Sequence, residues 1–136
     1  MRRTFRTWLI VFGLVCAGIA LAHLVGGQAT YIGGGEVNAT MDSDLRFFNI
    51  LFAAYGLGFV WAAQDIDRHS DLLVLLSGLF FLGGLARFIA WIASGPPTAF
   101  YVVMIAVELV VGPAHYLILR RIGQPTDRED TRPLPS

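Results

Sequence analysis

Lysine is absent from this chain, and cysteine occurs once, at Cys16. All ten basic residues are arginine, which points to a coding bias of the source genome and not to chemistry. A single thiol excludes a disulfide framework or a thiolate metal cluster within one chain. In an apolar run such a thiol reads as a small packing residue. Charge of either sign is also scarce: charged residues make up 15% of the chain and cancel to zero. That balance gives no basis for a nucleic-acid partner. Missing as well are a nucleophile elbow, a phosphate loop, zinc-ligand spacing and a dinucleotide fingerprint. "YIGGGE" is rich in glycine but follows no strand, so it reads as a flexible loop. The chain is therefore expected to be non-catalytic, with no metal and no cofactor.

What is present is hydrophobicity. Apolar residues make up 55% of the 136 positions, and the mean hydropathy is +0.61. A chain of this length forms one domain at most, and one this apolar would expose more hydrophobic surface in water than it could bury. Lipid is its natural solvent. About twenty apolar residues cross a bilayer core as a helix, and four windows qualify: 8–26, 45–63, 72–93 and 99–119. The expected fold is an all-α, antiparallel, integral membrane four-helix bundle over residues 1–122, with 123–136 a disordered cytoplasmic tail, proline-rich and charged. Arg2, Arg3 and Arg6 precede the first span, Arg68 lies in the middle connection, and Arg120 and Arg121 follow the fourth span. The other two connections hold no basic residue, so both termini are expected on the cytoplasmic side of the inner membrane.

The first 22 residues also have the build of a secretory signal, basic at the start and ending Ala20-Leu21-Ala22. The apolar run continues to Gly26, which favours a retained span. "NAT" at Asn38 matches a glycosylation acceptor, a match short enough to arise by chance.

Small residues let helices approach closely in lipid. Gly18, Ala22 and Gly26 form a four-residue-spaced strip on the first span, as do Ala54, Gly58 and Ala62 on the second. Gly83 and Gly84 lie one turn before Arg87. Such strips fit either a tight bundle or self-association, so a homo-oligomer or a partner membrane protein is expected besides the lipid bilayer.

Arg87 poses the sharper question, because an arginine near mid-bilayer costs about 2.5–3.5 kcal/mol on insertion scales. Counted from the "SGPP" link, Arg87 and Glu108 differ in depth by only about 4 Å at the helical rise. Their helices are antiparallel neighbours, so an Arg87–Glu108 ion pair is expected in the outer half. Arg46, with Asn49 one turn on, lies shallower and can reach Asp42, Asp44 or Glu108. Tyr101, Glu108 and His115 are heptad-spaced and extend a polar face along the fourth span. Pro113 frees the carbonyl of Leu109 nearby. Arg46, Asn49, Arg87 and Glu108 thus form either a structural clasp or a site for an anionic group such as a lipid phosphate, with Arg46 alternatively snorkelling to the surface. His23 and His115 fall roughly 15 Å apart in depth, too far for one iron to bridge. His69 sits in a loop beside Asp67 and Asp71, where it is solvated.

At "DSDLRFF", "GGLARF" and "ELVVGP" the chain resembles a family of small four-span bacterial membrane proteins catalogued only as a domain of unknown function. The resemblance runs from the first span to Arg121. It implies an aspartate shortly before Arg46-Phe47, paired glycines before Arg87, and Glu108 a turn ahead of proline, all matched here. Asn49 departs from it, as does Gly112, which stands where a second proline is common and implies a milder kink. The resemblance implies a fold and no reaction. The expected role is a non-catalytic accessory subunit or small binding module. The alternatives are an oligomeric proton-coupled transporter using Glu108, or a membrane enzyme with Glu108 or His115 as general base.

Overall fold

The computed structural model describes residues 1–123. They form four helices: α1 (Arg2–Gly26), α2 (Ala39–Ala62), α3 (Ser70–Ser94) and α4 (Ala99–Gly123), with a short 3-10 turn at Gly27–Thr30 after the first. Among the described residues there is no strand. Each helix is long and apolar enough to cross a membrane, so this is a multi-pass membrane protein. The expected disordered tail lies outside the described residues, except for Gly123, which is the last residue of α4.

Local chemistry sets the helix ends. α2 begins well before the expected Leu45, because the Asn38 side chain accepts a hydrogen bond of 2.9 Å from the Met41 backbone N–H. Asp42 in the first turn adds a favourable charge. Asn38 is therefore committed as a helix cap. α1 stops at Gly27, whose φ of 59° lies in the left-handed region that glycine enters without strain. α4 runs through Pro113 without interruption.

The helices associate as two hairpins, α1 with α2 and α3 with α4. In the first, backbones meet at Gly13 and Gly56. A Cβ on Gly56 would stand 2.5 Å from the Gly13 carbonyl oxygen and 2.7 Å from the Ala17 nitrogen. In the second, a Cβ on Gly84 would stand 2.7 Å from Glu108 Cβ, and one on Gly112 2.7 Å from the Ser77 carbonyl oxygen. Close approach of this kind replaces the hydrophobic drive that lipid removes.

These glycines correct the expected strips. Gly18, Ala22, Gly26 and Ala54 are exposed, as is Gly83, while Gly58 touches only the Leu76 side chain. The small residues that face inward are Gly13, Ala17 and Ala20 on α1, with Ala53, Gly56 and Ala62 on α2. Four-residue spacing marks a smooth face of a helix, but every helix here carries small residues on more than one face.

Side chains join the two hairpins. Phe5, Leu9, Phe59, Leu73, Leu76 and Leu119 form a buried cluster. Phe12 meets Phe59 and Phe80 edge-to-face at 5.1 and 5.0 Å between centroids. Arg2 pairs with Asp67, and Arg6 donates to Gln64 at 3.2 Å, tying the start of α1 to the α2–α3 connection. The loops after α1 and α3 meet at the opposite end of the bundle, where Gly33 packs on Thr98. The candidate site lies toward that loop end.

Candidate functional site

Gly84 is why Glu108 can be buried. Without a side chain at 84, α4 lies close against α3 and the Glu108 carboxylate is enclosed, only 6% exposed. One turn along α3, the Arg87 Nε donates to Glu108 Oε1 at 3.1 Å. The pair is lopsided: the carboxylate is inside, whereas the Arg87 side chain is 46% exposed. Arg87 also lies over the Tyr101 ring, 5.4 Å from its centroid, an arrangement that favours a cation.

Each member of the pair keeps unused capacity. A guanidinium has five N–H donors, and among the described residues only Nε of Arg87 is engaged. Glu108 Oε2 is buried and has no hydrogen-bond partner there. Cys16 on α1 and Tyr55 on α2 lie within electrostatic reach of this carboxylate.

Arg46 is not part of this arrangement. Its Nε donates to Asp42 at 2.8 Å and its Nη1 to the Leu24 carbonyl at 2.6 Å. It thus satisfies a carbonyl left open at the end of α1. Of the partners weighed for it, the structure brings it to Asp42. Asn49 is buried and donates to the Tyr31 hydroxyl at 2.6 Å and the Leu45 carbonyl at 2.8 Å. Tyr31 in turn stacks on His23, 4.0 Å between centroids, while His23 Nδ1 meets Thr30 Oγ1 at 2.6 Å. Beside this chain a cavity of about 260 Å³ opens at the loop end, with Tyr31, Leu45, Pro97, Thr98 and Tyr101 among its lining residues.

Residues 4–119 match the family described as Domain of unknown function (DUF4345). The chain belongs to this family. No curated protein and no solved structure matches it. The DUF4345 match spans all four helices, so the clasp, the Arg46 bracket and the cavity all lie within the family domain.

Elsewhere in the DUF4345 domain, His115 is 2% exposed and fully partnered. Trp8 Nε1 donates to its Nε2 at 2.7 Å. Nδ1 therefore carries the proton and faces Ser77 Oγ at 3.3 Å, and that hydroxyl donates to the Leu73 carbonyl at 2.7 Å. Phe5, Phe12 and Phe59 surround the ring. This is a structural network joining α1, α3 and α4, and it leaves no nitrogen free for chemistry. Trp8 and Ser77 did not stand out in the sequence, although both lie at the depth of His115 and are the obvious polar groups there. Among the described residues, no three of His, Cys, Asp or Glu are grouped to hold a metal.

Proposed function

We propose that this DUF4345 protein is a non-catalytic accessory subunit or small binding module of the inner membrane. Its termini are cytoplasmic, and Arg87 holds an anionic group, such as a lipid headgroup, in the outer leaflet. The single observation that carries this is the largely unused guanidinium. Glu108 takes only Nε, so the terminal nitrogens remain available at an exposed position about two turns below the end of α3. An arginine at membrane depth requires partners, and a phosphate or carboxylate oxygen matches its planar fork. Tyr101, which supports the guanidinium, also lines the neighbouring cavity, giving room for part of an amphiphile. Arg46, committed to Asp42 and Leu24, holds the end of α1 and takes no part.

Native mass spectrometry of the wild type against Arg87→Ala tests this. Anionic lipid retained by the first and lost by the second supports the site; equal retention removes it. The orientation is tested with a cysteine placed at Gly34 in a Cys16→Ala background. Labelling of intact cells by an impermeant maleimide supports cytoplasmic termini, and labelling only after lysis reverses them.

A further inference from the structure

An anion arriving at Arg87 would bring a second negative charge to an arginine already shared with Glu108. Paired alone, Arg87 and Glu108 are neutral together. Adding a monoanion leaves the cluster at minus one while the Glu108 carboxylate stays enclosed in the bundle, which is more costly than enclosing a neutral polar group. One atom is free to cancel that charge. Glu108 Oε2 is enclosed and meets no donor among the described residues, whereas Oε1 is held by Arg87. A proton drawn from water forms an O–H bond at Oε2, the carboxylate becomes a neutral acid, and the arginine's charge is left to the ligand.

We propose that binding of an oxyanion at Arg87 is coupled to uptake of one proton by Glu108. This rests on the anion site proposed above and adds its regulation. Linkage is reciprocal: if the anion favours protonated Glu108, protonation tightens anion binding by the same factor. Affinity therefore falls as pH rises. The groups facing Glu108 do not substitute for it. Tyr55 donates its hydroxyl to the Leu76 carbonyl at 2.7 Å, and Cys16 is buried in the α1–α2 contact. On α4 itself, Tyr101 sits under Arg87, and His115 is committed to Trp8 and Ser77. Nearer the loop end, His23 is held by Thr30 and Tyr31, and Asp42 and Arg46 are paired with each other.

The test uses the full chain in detergent and two probes of fixed charge: short-chain phosphatidylglycerol, and glycerophosphoglycerol, its headgroup without chains. Calorimetry in two buffers of different ionisation enthalpy counts protons taken up by the wild type. We expect close to one proton per phosphatidylglycerol bound, and an affinity at least about tenfold higher at pH 5.5 than at pH 8. Glu108→Gln should bind at both pH values with that difference abolished. Binding of glycerophosphoglycerol as well assigns the site to any phosphodiester; binding of the lipid alone assigns it to a headgroup in the membrane. Arg87-dependent binding without proton uptake overturns the coupling and leaves the anion site standing. Failure of both probes to bind, or equal binding by Arg87→Ala, overturns the site and the coupling together. The proton count needs no variant at residue 108, so misfolding of Glu108→Gln does not blunt it.

Discussion

The indole of Trp8 on α1 donates to His115 on α4, 2.7 Å away, joining two helices far apart in the chain. His115 is enclosed by aromatic rings, so removing the donor leaves a buried nitrogen unsatisfied. Trp8→Phe should therefore destabilise the bundle by about 1–3 kcal/mol. Ser77→Ala, at the longer 3.3 Å contact, should cost less. Thermal unfolding in detergent ranks the two variants.

Gly83 and Gly84 are adjacent in sequence and opposite in consequence. Nothing stands within 4 Å of a Cβ on Gly83, whereas one on Gly84 runs into Glu108 Cβ. Gly84→Leu should push α3 from α4, part Arg87 from Glu108 and cost about 1–3 kcal/mol. Gly83→Leu should be tolerated. Equal unfolding temperatures for the pair would remove Gly84 as the reason for the close approach.

The same contrast holds in the first hairpin. Gly56→Leu should disrupt the fold, since even its Cβ meets the backbone of Gly13 and Ala17. Gly18→Leu points into open space and should leave unfolding unchanged. Its effect on mass in detergent, by light scattering, shows whether that exposed strip serves a second copy.

Arg46→Ala should lower stability by about 1.5–3 kcal/mol, the range for hydrogen bonds to charged groups, because it releases both Asp42 and the Leu24 carbonyl. Retention of phosphatidylglycerol should not change. A loss of lipid binding equal to that in Arg87→Ala would return Arg46 to the ligand site.

Hydrocarbon makes strong demands on composition, and for that reason the four helices were legible from apolar runs alone. The Arg87–Glu108 contact was legible because a short link fixes both depths from one end. The pairing of Arg46 with Asp42 was legible from their four-residue spacing; its second partner, the Leu24 carbonyl, was not, because that carbonyl is exposed only by where α1 stops at Gly27. The inward faces of α1 and α2 were legible only in part: Ala62 faces inward as its strip implies, but Gly18 and Ala54 keep the four-residue spacing and face outward, while Gly56, with Phe52 and Val60 four residues away, has no such spacing to mark it. Trp8 and His115 were missed as a pair because no short loop connects α1 to α4 and marks them as neighbours.

The closeness of Gly13 to Gly56 has a consequence for biogenesis. Synthesis proceeds from the N-terminus, so the first pair of helices is complete before the second has emerged. Its backbones can lock at those two glycines at once, while Trp8 and Phe59 stay uncovered until α4 delivers His115. The ribosome thus supplies the two hairpins in sequence, and α4 carries the ring that seals them.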